Sequence, residues 1–186
     1  MLHVLAIAGS LRRGSYNRML LQAATYGLPS GVELERFEGL GQLPHYDEDA
    51  DIEPAHPAVR RLREALGGAD AVLIATPEYN ASLPGVLKNA VDWASRPFPH
   101  NSLHGKPVAV VGASTSLFGA VWAQAELRKV LTQAGAHVLD RELPVPRAHE
   151  AFEPSGALRD PEQQARLAEV VGALLADLRV SAYRAA

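Results

Sequence analysis

The sequence predicts a doubly wound α/β fold: one parallel sheet of five strands in the order 2-1-3-4-5, with helices on both faces. Three observations carry this reading. Short apolar runs alternate with longer segments of helical periodicity, so the strands are joined by helical crossovers, which implies parallel pairing. The central runs are apolar throughout, as in strands covered on both faces. There are five such runs, and five rather than six favours 2-1-3-4-5 over the six-strand dinucleotide-binding order. The chain has 186 residues; at roughly 150 residues per domain, that makes a single domain spanning 1–186.

The elements follow in order. Leu2–Ala8 is apolar apart from His3 and stops at Gly9-Ser10, which reads as a buried strand. Residues 17–26 read as a helix with Met19, Leu20 and Ala23 on one side, and 32–37 alternate as a second strand. Residues 39–57 hold three prolines and two glycines and read as a long surface loop. Residues 58–66 form a helical pattern through Val59, Leu62 and Leu66, ended by Gly67-Gly68. The third strand, 69–76, stops at Pro77. Ser82 is the expected N-cap of the next helix, with Pro84 in its first turn. Leu83, Val86, Leu87, Ala90, Val91 and Ala94 then carry the spacing of an amphipathic helix. Pro107–Ala113 is the fourth strand, 117–134 a helix with Gly135 as its C′ residue, and 136–143 a weaker fifth strand. Asp160-Pro161-Glu162-Gln163 reads as N-cap, Pro at N1 and Gln at N3 of a last helix, which continues through Leu167, Val170, Val171, Leu174, Leu175 and Leu178.

Composition narrows the function. Lys and Arg number 18 and Asp and Glu 21, a net charge of −3, which disfavours a nucleic-acid partner and a strongly acidic carrier steered by charge. The absence of Cys excludes disulfides, Cys-ligated zinc, iron–sulfur clusters and thiol nucleophiles. The seven His show no ligand spacing, so no metal is expected. No apolar run reaches the roughly 18–20 residues that span a bilayer. The N-terminal apolar run precedes its basic residues, the reverse of a signal peptide. The expectation is a cytoplasmic protein without membrane contact.

In this strand order the sheet reverses between strands 1 and 3, and ligands bind outside the carboxyl ends there. The first loop to inspect is 9–17, GSLRRGSYN, which enters a helix N-terminus. It combines the hydroxyls of Ser10 and Ser15, the amide of Asn17 and a guanidinium at Arg12 or Arg13. Such donors without a carboxylate suit a phosphate dianion at the positive end of a helix. Helix capping by Ser15 and Asn17, and a solvated turn for the arginines, is the alternative. The loop matches neither G-x-x-x-x-G-K-[ST] nor G-x-G-x-x-G, so a monophosphate fits better than a pyrophosphate or triphosphate. The second loop, TPEYNASLPG, follows strand 3 and is stiffened by prolines; its backbone N–H groups, Tyr79 and Asn80 suit a flat polar ring. A plain strand-to-helix connector with a surface Tyr is the alternative.

GSLRRGSYN after the first strand, with TPEYNASLPGVLKNAVDW after the third, resembles the NADPH-dependent FMN reductase family, and the resemblance runs over nearly the whole chain. That family is flavodoxin-like and includes bacterial quinone, azo-dye and chromate reductases. The resemblance implies that Ser10, Arg12, Ser15, Tyr16 and Asn17 hold the FMN phosphate. It implies that Pro77, Glu78, Tyr79 and Asn80 border the isoalloxazine ring, largely through backbone, with Ser114 of the third loop nearby. The chain departs from the family at Thr115-Ser116-Leu117-Phe118, where members are commonly richer in glycine.

The implied activity is hydride transfer from NADPH or NADH to bound FMN. Electrons then pass to a quinone, azo compound, free flavin or metal oxyanion in ping-pong order, with no catalytic side chain assigned. A flavodoxin-type electron carrier and a flavin-binding sensor are the alternatives. Glu78 is the one carboxylate at the expected site, as a proton relay, a loop anchor or a subunit contact. Trp93, Phe118, Val121 and Trp122 lie close to that site in sequence, and such apolar surface suits a homodimer or a dimer of dimers. Packing of Phe118 and Trp122 on the sheet is the alternative. Lys88 and Asp92, at i and i+4, are read as a surface pair.

Overall fold

The computed structural model describes residues 1–185, those from 179 onward through their backbone alone. In its sheet β1 (Leu2–Ala8) is flanked by β2 (Val32–Arg36) and β3 (Ala71–Thr76). β4 (Pro107–Ala113) pairs with β3, and β5 (His137–Val138) with β4, so the order is 2-1-3-4-5 with every pair parallel. A sixth short strand, β6 (Pro144–Val145), also pairs with β4.

Side chains alternate across a strand, and both faces here are covered. Val4, Ala6 and Ala8 of β1, Leu73 and Ala75 of β3, and Ala109 and Val111 of β4 face one way. They meet Leu20 and Leu21 of α1 (Tyr16–Ala23) and Leu167, Val171 and Leu174 of α5 (Pro161–Ala185). Leu5, Ile7, Val72, Ile74, Val108 and Val110 face the other way. There they meet α2 (Pro57–Gly68), α3 (Gly85–Ala94) and α4 (Val121–Gln133) through Val59 and Leu62, Leu87 and Ala90, and Leu127 and Leu131. This double burial explains why the central strands are apolar almost throughout, His3 of β1 and Thr76 of β3 being the exceptions.

Several boundaries differ from the sequence reading. α3 begins after Pro84, which takes the N-cap position with extended backbone (φ −64°, ψ 144°), and Ser82 caps nothing. α4 begins at Val121 rather than at residue 117, because Gly119 (φ 60°) and Ala120 (φ 64°) are left-handed and cannot continue a helix. At Gly119 a Cβ would lie 2.6 Å from the Val145 nitrogen, so only glycine fits there. The expected fifth strand is two strands. Asp140, Arg141 and Glu142 interrupt it, and three consecutive charged residues cannot stay inside a covered sheet. They bulge to solvent, where Glu142 pairs with Arg128 at 3.1 Å. Leu143, fully buried, brings the chain back, and Pro144 sits at the sheet edge where no N–H is needed. In α5, Asp160 caps by accepting the Glu162 N–H at 2.9 Å, while Gln164 rather than Gln163 reaches back, accepting the Leu158 N–H at 3.0 Å.

Trp93 belongs to the core and not to an apolar patch beside the site: it is 1% exposed. Its Nε1 donates to the Pro44 carbonyl (2.9 Å), as does Nδ2 of Asn89 (2.8 Å), and Asn89 Oδ1 accepts from Tyr46 N–H (2.7 Å). Two residues one turn apart on α3 therefore tie down the long 39–57 loop. Lys88 and Asp92, on the same helix, form the expected pair at 2.7 Å. Among the described residues no helix is long and apolar enough to cross a membrane.

Candidate functional site at the sheet switch point

The carboxyl ends of β1, β3 and β4 open into a cleft of about 340 Å³. Ser10, Arg12, Ser15, Tyr16 and Asn17 line it from the first loop, Pro77, Glu78 and Tyr79 from the second, and Ala113, Ser114 and Thr115 from the third. Every residue expected at the site lines this cleft except Asn80, which stands at the tip of the second loop. Of the two adjacent arginines, Arg12 reaches the cleft and Arg13 does not. Ala113 and Thr115 were not expected; as backbone neighbours of Ser114 they carry no chemical signal of their own.

The loops come this close because the strand ends carry small residues. A Cβ at Gly9 would stand 2.9 Å from Leu87 Cδ2 and 3.2 Å from Pro77 Cδ; one at Gly112 would stand 2.9 Å from the Thr76 carbonyl. Glycine at these positions lets the first loop lie against the second and β4 lie against β3.

In the first loop Ser15 is the N-cap of α1, its Oγ accepting from Arg18 N–H at 3.4 Å. Ser10 Oγ accepts from Arg12 N–H at 3.3 Å. Each hydroxyl therefore keeps its own proton to donate. Among the described residues no acceptor takes the N–H of Tyr16 or Asn17, the first two residues of α1. The Arg12 guanidinium lies 4.8 Å from the centroid of the Tyr16 ring and makes no ion pair among the described residues. Tyr16 in turn stacks with Phe152 at 6.3 Å and 4°. The result is a set of unpartnered donors at a helix N-terminus, chemically suited to a phosphate.

Asn17 lines the cleft and also holds the fold together. Its side chain is 2% exposed and makes two 2.9 Å bonds to the backbone of Ala113, Nδ2 donating to the carbonyl and Oδ1 accepting the N–H. The amide thus stitches the start of α1 to the end of β4 through one of its two Nδ2 hydrogens, and among the described residues no acceptor takes the other.

Glu78 is a loop anchor. Its Oε2 accepts from the N–H groups of Trp122 (3.0 Å) and Ala123 (3.1 Å), capping α4, whose own N-cap Ala120 has no side chain to do so. The carboxylate is held at the α4 terminus. Beyond it Tyr79 and Ser82 exchange N–H···O=C bonds of 3.0 and 3.1 Å across Asn80 (φ 53°) and Ala81 (φ 58°). Two successive left-handed residues make this a type I′ turn. Asn tolerates that conformation; Ala does so at a cost of about 1–2 kcal/mol. The turn leaves Tyr79 52% exposed at the cleft rim.

In the third loop Ser114 is held at backbone level, its N–H donating to Val145 (3.1 Å) and its carbonyl accepting from Ala148 (3.0 Å). Gln124, fully buried on α4, was missed by the sequence reading. Its Nε2 donates to the Gly119 carbonyl and its Oε1 accepts the Leu143 N–H, both at 3.2 Å. The available signal was a polar residue on the face that carries Ala123, Leu127 and Leu131.

Sheet order and cleft position together define the class, a flavodoxin-like protein with its cleft at the switch point. Residues 2–150 match the NADPH-dependent FMN reductase family, and the chain belongs to that family. An NAD(P)H-dependent FMN reductase of Pseudomonas aeruginosa is 45% identical over 172 residues, 92% of each chain. A quinone reductase of Escherichia coli is 40% identical over 141 residues, 75% of this chain and 74% of its own. Among solved structures, the flavoenzyme NAD(P)H:(acceptor) oxidoreductase FerB of Paracoccus denitrificans superposes with a TM-score of 0.84 at 35% identity, covering 96% of this chain and 98% of FerB. The protein is accordingly an NAD(P)H-dependent flavin oxidoreductase, with FMN as cofactor and NAD(P)H as co-substrate.

The Asn17 geometry makes a prediction that separates its structural role from ligand binding. Asn17→Ala leaves two buried backbone groups of Ala113 without partners, so the FMN-free protein should lose about 2–4 kcal/mol of stability in urea unfolding. A side chain that served only as a phosphate ligand would leave the FMN-free protein unchanged.

Proposed function

We propose that this chain, as a single domain, holds FMN in the switch-point cleft and reduces a quinone with electrons from NAD(P)H by alternate occupancy of that cleft. The observation that carries the reading is the donor cluster itself. The hydroxyls of Ser10 and Ser15, the Arg12 guanidinium and the N–H groups of Tyr16 and Asn17 gather in one cleft, and the one carboxylate of its lining, Glu78, is engaged by N–H groups of α4. Such a set binds a phosphate dianion by charge-assisted hydrogen bonds at a helix terminus.

Bound FMN supplies the hydride and electron transfer. The chain is left with binding and orientation. Ser10, Arg12, Ser15, Tyr16 and Asn17 fix the phosphate end; Pro77, Glu78, Tyr79 and Asn80 border the ring, Glu78 by anchoring the loop; Ser114 closes the side nearest β4. In this reading NAD(P)H and acceptor take turns at the one cleft. Relatives named as quinone reductases support the choice of acceptor.

The exposed residues Leu117 (70%), Phe118 (58%) and Trp122 (48%) stand beside this cleft, with the Phe118 and Trp122 rings 4.9 Å apart. They do not pack on the sheet. An apolar group of this size at the rim suits a symmetric second copy, and the reading includes a homodimer with its clefts near the subunit boundary. A chain without Cys fits the reducing cytoplasm as its compartment.

Three measurements test the reading. Arg12→Ala removes a charge-assisted contact of about 1.5–3 kcal/mol, so titration of the FMN-free protein should show FMN binding about 10- to 100-fold weaker. Initial-rate lines with NAD(P)H and quinone both varied should be parallel; intersecting lines signify a ternary complex and contradict alternate occupancy. Light scattering should give about twice the 19.9 kDa chain mass or a multiple of that dimer, and a monomer with FMN bound and full turnover would remove the dimer from the proposal.

A further inference from the structure

The turn at 79–82 stands at the cleft rim, yet its backbone is one that this sequence does not favour. Asn80 and Ala81 are both left-handed, and neither is glycine. Strained backbone of this kind persists where the surroundings over-determine it. The surroundings here are one helix, α4. Ahead of the turn, Glu78 caps the helix through the N–H groups of Trp122 and Ala123. At its far end the helix reciprocates: Ser82 Oγ donates to Glu126 Oε2 at 2.5 Å, and the Leu83 N–H approaches the same oxygen at 3.4 Å. Glu126 lies four residues beyond Trp122, one helical turn along the same face. It is exposed and forms no ion pair among the described residues, although Arg128 and Lys129 are close in sequence.

We infer that Glu126 is a positioning residue for the cofactor cleft: its carboxylate fixes Ser82 and so sets where Tyr79 and Asn80 stand at the rim. The inference rests on the reading of this cleft as the FMN site. Glu126 touches no cleft atom; it acts through Ser82. A hydroxyl donating to a carboxylate is a short, strong bond, and it closes the turn at the end opposite Glu78. Leu83 and Pro84 are buried and hold the chain beyond the turn, so the part left to Glu126 is the turn itself.

The test compares Glu126→Ala, Glu126→Gln and Ser82→Ala with Arg128→Ala, which breaks the Arg128–Glu142 pair on the same helix without touching the turn. The first measurement is amide hydrogen exchange of a peptide covering residues 79–83 in the FMN-free protein. The second is FMN affinity by fluorescence titration. In Glu126→Ala and Ser82→Ala the peptide should exchange about fivefold faster and FMN should bind about fivefold more weakly, the scale of one hydrogen bond. Glu126→Gln keeps an acceptor oxygen and should restore both; Arg128→Ala should change neither. Unchanged exchange at 79–83 in Glu126→Ala overturns the inference. So does faster exchange with wild-type FMN affinity, or an equal loss of affinity in Arg128→Ala. A wild-type chain that fails to bind FMN refutes the reading of the cleft instead, and the exchange comparison still decides whether Glu126 holds the turn.

Discussion

The cleft depends on the pair of hydrogen bonds between the Asn17 side chain and the backbone of Ala113. They join residues 96 positions apart, both buried, tying the helix that follows β1 to the end of β4. A parallel sheet leaves the last N–H and C=O of each strand without a strand partner where the chain turns away. At the end of β4 the Asn17 amide supplies both missing partners. The same contact fixes the first turn of α1, and with it the direction of the Tyr16 and Asn17 N–H groups. The neighbouring groups of β4 are satisfied from the other side, Gly112 and Ser114 donating to Leu143 and Val145. Three loops from distant parts of the chain are thereby held around one space.

α4 is the second organising element. It lacks a capping side chain of its own at Ala120 and takes one from Glu78 of the second loop. Gln124 reaches from its buried face to the Gly119 and Leu143 backbone, and Glu126 from its exposed face to Ser82. One helix therefore contacts both the second and the third loop through polar side chains spaced two residues apart. A shift of α4 would be felt at the rim of the cleft from both directions.

The electrostatic consequence is a division of charge. Donors with free protons line the cleft, and the carboxylates of Glu78 and Glu126 are occupied by α4 N–H groups and by Ser82. The helix N-terminus adds about half a positive charge in the same direction. The Glu78 carboxylate lines the cleft with these donors, its charge offset by the two α4 N–H groups it accepts, in a chain that carries −3 as a whole. Overall charge is thus a poor guide to the local field.

The sequence by itself determined the sheet. Short apolar runs at Leu2–Ala8, broken only by His3, and at Pro107–Ala113 fit strands buried on both faces, and buried parallel strands require crossovers, here helical. The first two loops were legible for the same reason, since residues at strand carboxyl ends are brought together by topology alone. The tertiary structure decided what individual polar side chains do. That Asn17 ties α1 to β4 is seen only with Ala113 beside it, and Trp93 looks like site surface until Pro44 is found over its ring nitrogen. Gln124 and Glu126 carry no local signal for their partners, which lie 5 to 44 residues away. The physical reason is that burial periodicity is a short-range property, encoded every two or 3.6 residues. A hydrogen-bond partner is chosen by proximity, which exists only once the chain has folded.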